Sequence, residues 1–163
     1  MSVPLGNTVG NALEVREAEQ CLQGQGPQDL VEIVAELSGD PIKAKQILAD
    51  GSAFDVWQQL VAAHSGDLSV NLHQATEVKK IDYCAEHAGV VLRCDAEQIG
   101  LAAFVLGAGR ERADAEVHHG VGVVVHAKVG AKVDAGQALA TVCHAHICLE
   151  KALAYVKAAY TIE

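Results

Sequence analysis

Apolar residues recur at helical spacing through the first third of the chain, and glycine or proline interrupts them repeatedly. The glycines of residues 24–26 end the first run, and Pro27 suits the first turn of a second helix. Gly39 ends that helix, and Asp40 followed by Pro41 is typical of the start of a third. The pattern predicts four helices. The apolar residues of the first three are Val9, Ala12, Leu13, Ala18, Cys21 and Leu22; Leu30, Val31, Ile33, Val34 and Leu37; and Ile42, Ile47 and Leu48, and the buried face of the fourth carries Phe54, Trp57, Leu60 and Val61.

The pattern changes after a polar stretch over residues 65–77, which has no sustained period. Short segments rich in β-branched residues follow, bounded by glycine or charge, as is typical of strands. We predict strands over 78–84, 89–94, 121–127 and 138–143, helices over 99–106 and 149–159, a turn-rich connection over 129–137, and a last strand over 160–162. The resulting prediction is an α+β fold with a helical segment (1–66), a linker (67–77) and a β-rich domain (78–163).

Composition narrows the range of functions. Half of the 163 residues are hydrophobic and only 4% are aromatic, which predicts an aliphatic core. A formal net charge of −9 argues against binding to nucleic acid or to anionic membranes. No apolar segment approaches the roughly 20 residues of a membrane span, and the first residues do not resemble a signal peptide. We therefore expect a cytoplasmic protein whose five cysteines are reduced, small buried hydrophobes.

Four potential metal ligands lie within six residues, at Cys143, His144, His146 and Cys148. Thiolate and imidazole suit zinc or copper. Neighbouring strand residues point to opposite faces, however, and no second ligand pair has the spacing of a zinc knuckle. Two interpretations stay open: a metal site, and a strand end with buried cysteines and exposed histidines, which the spacing favours.

Two blocks of sequence carry long and unusual motifs. Residues 1–17 read MSVPLGNTVGNALEVRE, and residues 24–30 read GQGPQDL. The second block comprises IGLAA (99–103), LGAGR (106–110), GVG (120–122), HAKVG (126–130) and GQ (136–137). The first block resembles the M-x-x-P-L-G-x-x-V-G-N-A-L-E-V-x-E and G-x-G-P-x-D-L motifs of the pyrimidine-nucleoside (thymidine) phosphorylases, and the second is similar to their C-terminal domain. Together the blocks span nearly the whole chain, in the order of that family.

The resemblance also implies a more specific fold for the β-rich domain. It implies a barrel-sandwich hybrid, like that of biotinyl and lipoyl domains, followed by a C-terminal helix. Those carrier domains present a modified lysine at a hairpin tip. Lys128 and Lys132 instead lie in the connection around Gly130, and no Met-Lys-Met-like tip is visible. We therefore expect a shared fold without carrier function.

The activity that the resemblance implies is reversible phosphorolysis of a pyrimidine nucleoside to free base and pentose 1-phosphate. Met1 aligns with an internal methionine of the family, and the segments that hold phosphate and base have no counterpart here. The glycines of 106–110 follow a helix, so we interpret them as a helix end rather than a phosphate loop. We expect a C-terminal fragment or truncated homologue that is inactive alone, without catalytic or substrate-binding residues. The alternative is a non-catalytic metal-binding or scaffold protein on the same fold.

The resemblance further implies part of a site for a potassium-like cation. Family members bind it with main-chain oxygens and a glutamate, and the matching positions are Leu5, Thr8 and Glu17. Because the remaining ligands have no counterpart here, we expect weak binding. The helical segment exposes an apolar face such as 30–37, which predicts self-association or pairing with a separately encoded N-terminal half.

Overall fold

The computed structural model describes residues 2–68, 78–110, 112, 114 and 116–163. Two compact units divide these residues: unit 1 comprises Met1–Glu14 and Leu72–Glu163, and unit 2 comprises Val15–Asn71. Most of the predicted linker, residues 69–77, lies outside the described residues. The predicted domain boundaries stay a prediction.

Helices and strands follow one another in an order close to the predicted one. Within the described ranges the elements are β1 (Thr8–Val9), α1 (Asn11–Leu22), α2 (Gln28–Leu37), α3 (Pro41–Asp50), α4 (Ser52–Ala63), β2 (Lys79–Cys84), β3 (Gly89–Cys94), α5 (Ala96–Ala103), a π-helical turn (Phe104–Ala108), β4 (Gly122–Val125), β5 (Lys132–Val133), β6 (Ala138–His144), α6 (Leu149–Ala159) and β7 (Tyr160–Ile162). The fold therefore mixes helices with β-sheet, as predicted.

Unit 2 consists of helices whose starts follow the local signals. Pro41 is the first residue of α3, and the Asp40 carboxylate accepts a hydrogen bond from the Lys43 amide at 3.1 Å. Gly51, with φ 81°, adopts the left-handed conformation that joins α3 to α4. The four predicted helices are confirmed, but Val9 lies in β1 rather than in the first helix, and Leu60, predicted to be buried on the fourth helix, is 49% exposed.

Unit 1 contains two antiparallel sheets. The four-stranded sheet has the order β1-β4-β6-β2, and the three-stranded sheet has the order β5-β3-β7. In the first sheet Val123 faces Val142, and Ile81 faces Val142 from the other side. Among the described strands neither sheet closes into a barrel, and the barrel-sandwich arrangement stays a prediction.

The core of unit 1 is aliphatic, as the composition predicted. Both sheets and both helices of the unit contribute to it, with Val91, Ile99, Leu106, Val123, Leu139, Val142 and Val156 all fully buried or nearly so. Burial of such side chains is the main favourable contribution to folding.

Two features of unit 1 differ from the predicted elements. The helix expected over 99–106 begins at Ala96, because the Asp95 carboxylate accepts from the Gln98 amide at 3.1 Å and caps it. That amide is the main reason why the pKa of Asp95 is lowered. The two-residue strands β1 and β5 were not predicted. No helix of the described part of the chain is long and apolar enough to cross a membrane.

Candidate functional site

The first motif block forms a strand of unit 1 before it enters α1. Thr8 and Val9 pair with Val124 and Val123 of β4, and the Val125 amide donates to the Asn7 carbonyl at 2.7 Å. The block is thereby part of the same sheet as the second block.

The three predicted cation ligands are divided between the two units. Leu5 and Thr8 belong to unit 1, whereas Glu17 belongs to unit 2. Leu5 is half-buried, and Glu17 is only 6% exposed, which is unusual for a carboxylate. The Thr8 hydroxyl oxygen is buried and has no hydrogen-bond partner in the described part of the chain. The predicted ligands are main-chain oxygens and the Glu17 carboxylate rather than this hydroxyl, and the cation site stays a prediction.

The isolated Thr8 hydroxyl leads to a prediction for stability. Valine has nearly the same shape and lacks the hydroxyl, so Thr8→Val should raise the free energy of unfolding by about 1 kcal/mol in potassium-free buffer. Urea unfolding with and without potassium checks this. A loss of stability in Thr8→Val would mean that the hydroxyl has a partner such as water or a cation, contrary to the expectation.

The glycine-rich segment after α5 forms a helix end. Gly107 has φ 100°, and its carbonyl accepts from the His118 amide at 2.9 Å. Beside it lies a cavity of about 190 Å³, lined by Asn11, Glu14 and Phe104 together with small residues. No lysine or arginine among the described residues lines this cavity, and the Asn11 amide is used by the Ala108 carbonyl at 2.8 Å. The cavity therefore lacks the cations of a phosphate site.

The predicted metal cluster has buried and exposed members, and the rings of His144 and His146 meet edge to face with centroids 5.1 Å apart. Cys143 and His144 are neighbouring buried residues at the end of β6, whereas His146 and Cys148 are exposed. The His146 amide donates to His144 Nδ1 at 3.2 Å, which occupies that lone pair. Burial raises the pKa of the Cys143 thiol and, as the largest cause, lowers that of His144. Within the described ranges no three His, Cys, Asp or Glu side chains form a metal-binding group.

A hydrogen-bonded network that the sequence analysis missed joins β2, β6 and the residue that follows β4. The Thr141 hydroxyl donates to Asp82 Oδ1 at 2.5 Å, and His126 Nε2 lies 2.7 Å from the same hydroxyl oxygen. A carboxylate only accepts and a hydroxyl has one proton, so His126 Nε2 must be the donor. The three residues lie far apart in sequence, and only the register of the strands brings them together. This hydrogen-bonded network fixes the exposed edge of the sheet and holds no reacting group in a cavity.

Comparison with known proteins agrees with the family resemblance of the second motif block. The family described as "Pyrimidine nucleoside phosphorylase C-terminal domain" matches residues 90–163. The thymidine phosphorylase of Mycobacterium tuberculosis is 43% identical over 149 residues, covering 86% of this chain and 34% of the relative. The pyrimidine-nucleoside phosphorylase of Bacillus subtilis is 37% identical over 160 residues, covering 86% of this chain and 36% of the relative. That of Staphylococcus haemolyticus is 36% identical, covering 87% and 37%.

The three relatives match nearly the same share of this chain, 86% or 87%. The chain spans about a third of the length of the relatives, while the similarity covers most of the chain itself. The matching domain contains β3, α5, both central strands of the first sheet and α6. The chain therefore belongs to the pyrimidine-nucleoside phosphorylase family and corresponds to the C-terminal part of its members.

Proposed function

We propose that these 163 residues act as the C-terminal part of an enzyme that splits pyrimidine nucleosides with phosphate, and that they are inactive as an isolated polypeptide. The observation that supports this is the extent of the similarity, which covers 86% of the chain but only 34% of the mycobacterial relative. The groups that handle phosphate and base then belong to the unmatched two thirds, whether joined to these residues or supplied by another chain.

The chemistry of phosphorolysis supports the same proposal. Phosphate must be held beside a sugar that gains positive charge, and the departing base must be stabilised by donors or cations. Several cations of the described residues are already paired: Arg93 with Asp95, Arg112 with Asp114, and Lys157 with Glu86. Each of these carboxylates offsets part of the positive charge that would otherwise attract phosphate.

Combining two polypeptides tests the proposal. A segment that matches the first two thirds of a relative is expected to phosphorolyse uridine or thymidine only when these 163 residues are added. Release of free base, followed by chromatography, measures the reaction. A matched control uses the same segment with an unrelated domain of similar size. Equal turnover without the 163 residues would show that they contribute nothing to the reaction.

The exposed apolar face of unit 2 supports a protein partner. Leu37 is 82% exposed and Ile42 is 74% exposed, and both are large apolar side chains. Such patches mark interaction surfaces. We propose that the two thirds of the enzyme that these residues do not match cover this face, and that the isolated 163-residue chain self-associates.

Removing this apolar face should reduce self-association. The double variant Leu37→Gln with Ile42→Gln is expected to lower the association constant at least about tenfold, since apolar area leaves the contact. Its free energy of unfolding should stay within about 0.5 kcal/mol, because both side chains are exposed. Lys43→Gln, next to Ile42 on α3, is the control. A wild-type chain that sediments as a monomer at every concentration would contradict the proposal.

The second candidate function is a non-catalytic metal-binding or scaffold protein on the same fold. The closeness of Cys143, His144, His146 and Cys148 in sequence favours it. Elemental analysis of chelator-treated and untreated protein distinguishes the candidates, because zinc or copper bound in equimolar amount is expected only for the second. Absence of both metals would remove it.

Three further features belong to the first proposal. Leu5, Thr8 and Glu17 would contribute oxygen ligands to a potassium-like cation, which supplies structural charge rather than reacting groups. The strands of residues 78–163 would form a barrel-sandwich hybrid, in a domain that a linker at 67–77 separates from helices over 1–66. The free state of all five cysteines supports a cytoplasmic location.

A further inference from the structure

A cleft in unit 1 is lined by residues of both sheets and of α6. It has a volume of about 160 Å³, with Leu139 of β6 among its lining residues. Tyr83 of β2 and Tyr160 of β7 also line it, with ring centroids 6.2 Å apart. An apolar cavity of about 150 Å³ in another protein holds one benzene ring. The cleft therefore has the volume of a single six-membered ring and offers aromatic surface to it.

The tyrosine rings of the cleft are held in place. The Tyr160 hydroxyl donates to the Leu139 carbonyl at 2.9 Å, which fixes its ring against the first sheet. No hydrogen bond occupies the Tyr83 hydroxyl in the described part of the chain. Burial is the main reason why the pKa of Tyr83 is raised, so the phenol stays protonated at neutral pH and can donate. One ring is thus structural, and the other offers a free polar group to a ligand.

The rim of the cleft carries opposite charges that cancel. Lys157 Nζ lies 3.2 Å from Glu86 Oε1, and both side chains are largely exposed. Lysine has three N–H donors and a carboxylate has a second oxygen, so each group can bind a ligand without losing its partner. His87 Nε2 lies 3.4 Å from the Ile162 carbonyl, which only accepts, so this nitrogen is protonated. A neutral rim with adjacent donors and acceptor does not select an ionic ligand.

We propose that this cleft binds a neutral six-membered heterocycle with an N–H group beside a carbonyl, the chemistry of cyclic amides and imides such as free pyrimidine bases. The ring lies on the Tyr83 side chain, the Glu86 carboxylate accepts from the ring N–H, and Lys157 or the Tyr83 hydroxyl donates to the ring carbonyl. The site is independent of the catalytic proposal, because it needs neither phosphate nor the missing two thirds of the enzyme.

Nuclear magnetic resonance on the full 163-residue chain tests the site, with uracil as the probe and no phosphate present. Uracil at millimolar concentration is expected to shift the amide signals of β2, β7 and the end of α6. Benzene, which has the ring but neither N–H nor carbonyl, is expected to shift them much less. Unchanged cleft signals with uracil, or equal shifts with benzene, would overturn the proposal.

Exposed rim variants make the test specific without disturbing the fold. Glu86→Gln is expected to weaken uracil binding about tenfold, since it removes a charged acceptor from one hydrogen bond. Tyr83→Phe, which keeps the ring, should weaken binding less. Glu150→Gln is the control, because this exposed residue of α6 does not line the cleft. An unchanged Kd for uracil in Glu86→Gln would contradict the assigned role of the rim. Both tests are done without phosphate, so neither result depends on whether the chain catalyses phosphorolysis.

Discussion

Leu106→Ala is expected to lower the free energy of unfolding of unit 1 by about 2–5 kcal/mol. Leu106 lies in the π-helical turn after α5 and is 0% exposed within the core. Alanine leaves a cavity that closely packed neighbours fill only in part. Urea unfolding followed by tyrosine fluorescence measures the change, since the three tyrosines at 83, 155 and 160 all lie in unit 1.

The same chemical change at an exposed position is the control for Leu106. Leu92 lies on β3 and is 49% exposed, so Leu92→Ala should cost no more than about 1 kcal/mol. Equal losses in the two variants would mean that the π-helical turn does not pack into the core as described.

Gly122→Ala is expected to destabilise unit 1 by about 2–4 kcal/mol, because two backbones approach each other at this position. A Cβ on Gly122 would lie 2.2 Å from the Val9 carbonyl oxygen, and its φ of 154° disfavours a side chain. Gly10 faces it from β1's end, where a Cβ would lie 2.5 Å from the Val121 carbonyl oxygen. The variant should therefore separate β1 from β4, with faster hydrogen exchange at the Val125 amide as a second measurement.

A glycine without close neighbours is the control for Gly122. Gly100 lies inside α5, and a Cβ there would meet nothing within 4 Å. Gly100→Ala should raise the stability of unit 1 by about 0.5–1 kcal/mol, since alanine is the better helix former. A stable Gly122→Ala variant would show that the first motif block is not held against β4.

The pattern of apolar residues along the chain was sufficient to predict the longer helices and strands. Strand β3 and helix α6 have the predicted bounds. The apolar pattern of the strand ends at Cys94, and that of the helix ends just before Tyr160. Strands β1 and β5 have only two residues each and exist because distant strands pair with them. A two-residue segment carries no period, so the sequence alone could not reveal it.

Sites depend on contacts that the sequence does not display. Cys143 and Cys148 are close in sequence, but their different burial, inside the end of β6 and exposed after it, could not be predicted from that closeness. Conversely, Glu86 and Lys157 are 71 residues apart and meet at the cleft only through sheet and helix packing. The family resemblance was readable because its motifs are long and contiguous.

Turnover by the purified 163-residue polypeptide tests the central proposal most directly. Uridine and thymidine are incubated with inorganic phosphate and the chain alone, and free base is measured against a relative of full length under the same conditions. We predict no base release above the reaction without protein, and the polypeptide should remain folded throughout. Release of base at an enzymatic rate by the chain alone would contradict the account, because it would require phosphate-binding and base-binding groups within these residues.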